Sequence, residues 1–481
     1  MYLGIDLGTS SVKAVLADAD GKIVDSQSAE YPVFYPKEGW SEQRPEDWYN
    51  GMIIILQTLG RRNELSKIEG VSFCGQMHGL VLLDENDTVI RPALLWNDNR
   101  TIEEVRFLNE KVGREKLIDW TGNIALTGFT APKVLWVKQN EPENFARIKK
   151  IMLPKDYLVY KMSGVFASDV SDNSGTLYFD TKNKIWSPSM LKILGISETQ
   201  LPKVFESYHV VGNVSKTFAT LTGLNPGAKV IAGGGDQAVG AVGTGTVRKD
   251  MLSISLGSSG VVFASADAFM GDAQGRLHSF CHATGGYHMM GVILSAAAAL
   301  KWWVEDILKE TDFDKVLAEI DINTIDQTLF LPYLMGERSP INDPAAKGVF
   351  YGLNLMYGRS SMTKAVIEGV SFALKDCYDV ILKAGIKPSI ARVIGGGAKS
   401  EEWLQILSDI LGIELRTINT TDGGAMGALM LAMVGCGRFK TVDEAADMVV
   451  TEVDSYQPDM QRHQRYSEKF KEYKALYYLC R

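Results

Sequence analysis

The chain has 481 residues, 46% hydrophobic and 22% charged, with a net charge of −8. That length allows two to four domains, each able to bury its own core, and the composition is that of a globular protein. The acidic balance and the absence of any Lys/Arg run argue against a nucleic-acid partner, while a locally positive cleft for an anionic small molecule stays open.

No basic stretch precedes Asp6, which falls where the apolar core of a secretory signal would begin, so no leader is expected. Residues 2–27 read as a β-meander. Its first turn is Gly8-Thr9-Ser10-Ser11, and its second is Asp18-Ala19-Asp20-Gly21, a good hairpin signal. Residues 47–59 have helical character. A buried strand at 70–73 runs into Gln76-Met77-His78-Gly79 and is followed by a strand ending at Leu83. Residues 119–226 are richer in Trp, Tyr, Ser and Asp and less regular, as in an insertion on the first lobe. A short strand at 229–232 enters Gly233-Gly234-Gly235-Asp236-Gln237, with a small-residue helix to 243.

The second half opens near Arg248. The apolar stretch 289–300 is too short for the ~20 residues of a membrane span and predicts a buried helix, and a further apolar helix is read around 295–303. A loop GERSP (336–340) follows, then a strand at 391–394 running into GGGAKS (395–400), and TTDGGAMGA (420–428) opening a buried helix over 425–434. Thr421 and Asp422 are placed to cap that helix. Alternating strands and helices predict an α/β layered fold. Five scattered cysteines, never spaced CxxC, predict reduced thiols and a cytoplasmic location.

One phrase is used twice. GIDLGTSSVK (4–13) and SLGSSGVVF (255–263) each consist of an apolar strand, a Gly/Ser/Thr turn and a second strand. Such turns present backbone N–H groups and hydroxyls without bulk, a surface suited to a phosphate chain. Two copies half a chain apart predict two related lobes facing one nucleotide. The first copy alone carries an acid: Asp6, beside Gly8, Thr9 and Ser10, is placed to hold Mg²⁺ through water, or else to cap its own turn. Lys13 either reaches the phosphates or is a solvated strand lysine. In GGGDQ, Asp236 starts a helix whose dipole favours the carboxylate; it reads equally well as a general base for a hydroxyl and as an N-cap. Gly396, Gly397, Ala398 and Ser400 form a strand–loop–helix junction against which a nucleotide can lie. The glycines of 423–427 read as nucleotide contacts or as close helix packing. His278, Cys281 and His282 are read as packing residues before metal ligands, and Trp96 as a residue that can face a ligand. GxxxxGK[ST] is absent, as is GxGxxG in a βαβ setting.

The order DLGTS (6–10), GGGDQ (233–237), SLGSSG (255–260), GERSP (336–340) and GGGAKS (395–400) resembles that of the FGGY carbohydrate kinases, over residues 2–435. The resemblance implies two actin/hexokinase-like (ribonuclease H-like) lobes with a catalytic cleft between them: residues 1–245 sugar-binding, residues 246–481 nucleotide-binding. GQMHG (75–79), LLWNDNR (94–100), TGNIALTGFTAPKVLW (121–136), LPKDYL (153–158), SDVSDNSGT (168–176) and HSFCHA (278–283) are similar to members that phosphorylate D-xylulose. By that likeness Met77 and His78 contact the ketose, with Trp96, Asn97 and Asp98 as further candidates. Asp236 is the catalytic base and a sugar contact, and Asp6 is the phosphate and metal acid. ATP is held by Gly8, Thr9, Ser10, Lys13, Gly257, Ser258, Ser259, Gly396, Gly397, Ala398 and Ser400. The expected partners are ATP, Mg²⁺ and D-xylulose, with a homodimer left open. Related kinases of gluconate, L-ribulose or glycerol, and an actin- or chaperone-like ATPase, are the competing readings.

Overall fold

The computed structural model describes residues 1–324, 326–419 and 422–481. Among these residues, two seven-stranded mixed sheets form the framework. The first runs Val210–Asn213, Lys229–Ile231, Gly70–Gly75, Tyr2–Leu7, Ser11–Ala17, Ile23–Glu30, with Gly234–Gly235 also paired to Gly70–Gly75. The second runs His278–Cys281, Tyr287–Ile293, Gly260–Ala266, Leu252–Leu256, Ile390–Ile394, Glu414–Ile418, Glu452–Tyr456.

The two sheets repeat one pairing scheme. Tyr2–Leu7 pairs antiparallel with Ser11–Ala17 and parallel with Gly70–Gly75; Leu252–Leu256 does the same with Gly260–Ala266 and Ile390–Ile394. Beyond these, each sheet adds one more parallel strand and then an antiparallel one. The repeated phrase is therefore the first hairpin of a fold built twice, and the chain has the two-lobed actin/hexokinase-like architecture.

Local sequence accounts for the elements. Gly70–Gly75 is buried throughout, as a parallel strand covered on both faces should be, whereas Ile23–Glu30 alternates at an exposed edge. The helix Pro45–Gly60 starts on a proline and two acids, Glu46 and Asp47, which suit its N-terminal dipole. It buries Trp48, Met52, Ile55, Leu56 and Leu59 along one stripe. The helix expected over 289–300 begins only at Ala297. Residues 289–293 belong instead to the strand Tyr287–Ile293, because pairing with Gly260–Ala266 and His278–Cys281 on both sides satisfies their backbone in the sheet. The helix Ala297–Lys301 continues into a π-helical turn, Trp302–Ile307.

Between the sheets, the helices Asp236–Gly243 and Gly423–Gly435 lie in backbone contact. A Cβ on Gly427 would sit 1.9 Å from the Val239 carbonyl oxygen, and one on Gly243 1.9 Å from that of Gly423. Gly4 of the first sheet meets the same helix, with a Cβ position 2.1 Å from the Ala425 oxygen. These glycines serve close packing, and one buried cluster unites Tyr2, Val15 and Ile231 with Val239, Val242 and Leu429. The middle section also does more than decorate the first lobe: Ala125, Phe129, Val134 and Tyr178 share a buried cluster with Phe263, Phe280 and Met290 of the second sheet. The expected cap at Thr421 and its neighbour Thr420 lie outside the described residues. Asp422 occupies the N-cap position and its carboxylate pairs with Lys13. Among the described residues no helix is long and apolar enough to cross a membrane.

Candidate active site

The strand Tyr2–Leu7 ends in a turn closed by the Gly8 N–H donating to the Ser11 oxygen at 2.9 Å. The Gly8 carbonyl accepts from the Tyr31 hydroxyl at 2.5 Å, the Thr9 carbonyl from Gln43 Nε2 at 2.6 Å, and the Ser10 carbonyl from the Tyr31 N–H at 3.1 Å. With its carbonyls tied backward, the turn is rigid. The equivalent turn is anchored alike: the Gly257 carbonyl accepts from the Ala297 N–H at 2.8 Å and that of Ser258 from the Ala296 N–H at 2.9 Å.

Asp6 and Asp236 line one cavity of about 240 Å³. Cys74, Gln237, Gly240 and Thr244 contribute from the first half of the chain; Ser253, Ser255, Phe263, Ile394, Gly423 and Gly424 come from the second. Asp6 stands opposite Lys13 and Cys74 in the sheet register. Burial raises its pKa and the Asp422 carboxylate adds to this, while the Cys74 thiol donates to it and opposes the rise. Burial also pushes the Asp236 pKa up to about 7, helped by the Asp6 charge; hydrogen bonds from the Gln237 backbone and side chain oppose the shift. Asp236 is the first residue of its helix, and the N-cap is Gly235. The carboxylate therefore sits one position inside the cap, where it accepts from the Gln237 N–H and also faces the cavity.

Met77 and His78 both lie against Gly175, and Met77 also reaches Gly235, the residue before Asp236. A Cβ on Gly235 would lie 2.8 Å from Met77 Sδ, and one on Gly175 would lie 2.3 Å from His78 Cε1, so both side chains rest on bare backbone. His78 Nδ1 is 2.8 Å from the Gly175 oxygen, which makes Nδ1 the donor and leaves Nε2 as an acceptor. Burial and the nearby Lys133 hold its pKa well below the usual histidine range. The His278 ring stacks on Phe280 and lies 5.5 Å from that of Phe129, which in turn packs on His78.

The LLWNDNR segment divides. Trp96 is half-exposed and donates Nε1 to Thr9 Oγ1 at 3.0 Å, linking this loop to the first turn. Asn97 keeps a buried Oδ1 with no partner among the described residues. Asp98 is fully buried and turned away from the cavity: its carboxylate accepts from the Ser41 N–H at 2.7 Å and from Arg100 Nη2 at 2.7 Å. The polar surroundings that suggested a ligand contact are those of an internal ion pair. Lys13, expected either at phosphates or in solvent, instead bridges to Asp422.

Gly396, Gly397 and Ser400 line a second cavity of about 380 Å³ with Ser258, Leu300, Phe313, Leu317, Lys399 and Trp403. Gly395 has φ +95°, and a Cβ there would sit 2.7 Å from the Leu256 oxygen, so the loop folds tightly against the second turn. Ser400 caps the helix Glu401–Leu411 by accepting from the Trp403 N–H at 3.2 Å. Ala398 packs on the hydrophobic core beneath the loop.

Several residues gave no sequence signal of their own. Lys155 is fully buried, with Asp156 at 2.6 Å, Asp169 at 2.9 Å and Asp172 at 3.9 Å. Asp169 accepts from Ser171 Oγ at 2.5 Å and Ser207 Oγ at 2.8 Å, and Ser171 Oγ accepts from the Gly235 N–H at 3.2 Å. This network holds the backbone just before Asp236. Asp172 lies behind Asp236, and burial raises its pKa well above the usual carboxylate range. The hints were the charges amid the apolar residues of LPKDYL and the segment SDVSDNSGT, which carries Asp169, Ser171 and Asp172.

Residues 1–243 match the N-terminal domain of the FGGY family of carbohydrate kinases, and residues 252–436 match its C-terminal domain. A xylulose kinase of Escherichia coli K12 is 42% identical over 99% of this chain and 98% of its own length. The crystal structure of a xyloylose kinase (so spelled) from Brucella ovis superposes with a TM-score of 0.94 at 37% identity, covering 100% of this chain and 99% of that one. A gluconate kinase from Lactobacillus acidophilus also reaches 0.94, at 26% identity, over 99% and 97% of the two chains. The chain belongs to the FGGY family of carbohydrate kinases.

Proposed function

We propose that this kinase transfers the γ-phosphoryl group of ATP to the terminal hydroxyl of D-xylulose, giving D-xylulose 5-phosphate. The ketose reading rests on the xylulose kinase relatives and on Met77, which lies against both Gly235 and Gly175, with the His78 ring against Gly175. The observation that carries the chemistry is Asp236, a carboxylate with a pKa of about 7 in a cavity shared by both halves of the chain. A base poised near the working pH takes a hydroxyl proton as the oxygen attacks phosphorus, then releases it easily to solvent. Asp236 abstracts the proton, while Met77, His78 and the open acceptor of Asn97 orient the sugar, with Trp96 at its edge. The interior ion pair of Asp98 supports that loop.

The turns at 8–11 and 257–260 hold the ATP phosphates from opposite lobes, and Lys13 exchanges Asp422 for them. The nucleoside lies in the cavity of Gly396, Gly397 and Ser400, with Ala398 supporting the loop from below. The proposed lobes are residues 1–245 and 246–481. A metal ion fits Asp6. Its hard carboxylate oxygens suit Mg²⁺, and Gly424, lacking a Cβ that would come 2.4 Å from Asp6 Oδ2, leaves room beside it. Bound there with the nucleotide, Mg²⁺ supplies charge neutralisation between phosphate oxygens.

A coupled ADP-release assay over D-xylulose, D-ribulose, L-ribulose, gluconate and glycerol tests this reading. D-xylulose is expected to have the highest kcat/KM. A higher value for another acceptor moves the assignment to that acceptor, and ATP hydrolysis indifferent to all five removes the acceptor site. The location proposed is cytoplasmic, and a homodimer is compatible with a site built within one chain.

A further inference from the structure

His78 has φ +69°, a left-handed conformation that is unfavourable for a residue with a side chain. Something must hold it there. Its ring is tied to the Gly175 carbonyl. Its own carbonyl oxygen accepts from Lys133 Nζ at 2.8 Å and from Thr130 Oγ1 at 3.2 Å. The same Lys133 Nζ donates to the Gly128 carbonyl at 2.6 Å.

Lys133 is an unusual residue to find here. It is fully buried, it lies on the helix Thr130–Asn140, and no hydrogen bond or ion pair to a carboxylate is formed by its ammonium among the described residues. Asp98, the nearest favourable charge, is neutralised by Arg100 at 2.7 Å. A buried cation satisfied by two carbonyls is a costly way to fill a core position; a methionine of similar shape packs as well without the cost. What the amine does that a methionine cannot is draw two carbonyls together. One belongs to His78. The other precedes Phe129, whose ring lies 4.8 Å from that of His78. Burial lowers the Lys133 pKa to about 7, and even the neutral amine keeps an N–H for each carbonyl.

We infer that Lys133, assisted by Thr130, is a positioning residue for the acceptor site: it clamps the His78 carbonyl to the start of the helix Thr130–Asn140 and so sets the direction in which the His78 ring faces the acceptor. This rests on the reading that His78 contacts the sugar, and it assigns Lys133 no contact with the substrate.

The test uses four variants, Lys133→Met, Lys133→Gln, Thr130→Val and His78→Ala, with KM for D-xylulose and for ATP, kcat and melting temperature measured for each. Misplacing a binding group by about 1 Å can cost on the order of 10²-fold. Lys133→Met is expected to raise the D-xylulose KM by about 10–100-fold with the ATP KM within twofold. Lys133→Gln, which retains donors, should recover part of the loss, and Thr130→Val should show a smaller rise of the same kind. A general loss of packing lowers the melting temperature without separating the two KM values, and that result overturns the proposal. So does an unchanged D-xylulose KM in Lys133→Met. If Lys133→Met does not yield folded protein, Thr130→Val decides, and an unchanged sugar KM there overturns the proposal. His78→Ala separates the two layers: if it leaves the sugar KM unchanged, the reading of the acceptor site fails, whereas a raised KM in His78→Ala alone defeats only the role of Lys133.

Discussion

Asp236→Asn puts the proposed base and its unusual environment to one combined test. Asparagine is nearly isosteric, cannot accept a proton, and carries no charge into the cavity. A carboxyl whose pKa moves from 3.8 to about 7 on folding corresponds to about 4 kcal/mol of cost for the ionised form. The group faces a cleft, so solvent screens part of this and a range of about 1–4 kcal/mol is expected. Below pH ~4 the carboxyl is protonated in both folded and unfolded chains and costs nothing. As pH rises toward 7 the unfolded chain ionises first, so stability falls, and above ~7 the loss is complete. The variant should therefore be more stable than the parent at pH 8, with the difference vanishing toward pH 4, measured by urea denaturation across that range. Sugar phosphorylation should fall by ~10²–10⁴ while ATP still binds. In the parent, kcat/KM for the sugar should rise with pH through about 7 as the base ionises. Near-normal turnover in Asp236→Asn would falsify the catalytic assignment, and an equal stability difference at pH 4 and pH 8 would refute the account of the buried charge.

Asp6→Asn should lower kcat by about 10²–10³ and raise the Mg²⁺ concentration needed for half-maximal rate, since one preorganised charge is lost from the phosphate site; because the Asp6 charge also raises the Asp236 pKa, the acid limb of residual activity should move to lower pH, and an unmoved limb would separate the two carboxylates. Gly427→Ala places a methyl 1.9 Å from the Val239 oxygen and should cost about 1–3 kcal/mol or more through forced separation of the two central helices; an unchanged melting temperature would show that they part freely.

Much of the fold was visible in the residues because it is written locally. The meander over 2–27, the strand at 70–73 and the glycine-led junctions at 233–237 and 395–400 are set by alternation, turn chemistry and backbone freedom, which act over a few neighbours. The repeated phrase pointed to a duplicated architecture for the same reason: a tight turn between two paired strands needs the same small residues in each lobe. Asp6 and Asp236 stood out as single acids beside glycines, and the fold lines one cavity with both.

Pairing across long separations was not legible. Trp96, Asn97 and Asp98 read alike along the chain, yet Asp98 is drawn inside by Arg100 and Ser41. Lys13 meets an acid some four hundred residues away, and the clamp of Lys133 on His78 spans 55 positions. Local chemistry dictates which segments bend, extend and expose their backbone, and the chain carried that information from the start. Which charges become neutralised, which glycines are spent on helix contact and how far Asp236 is lifted toward neutrality depend on burial. Burial is a property of the assembled lobes, because desolvation and Coulomb energies follow distances in space and not separation along the chain.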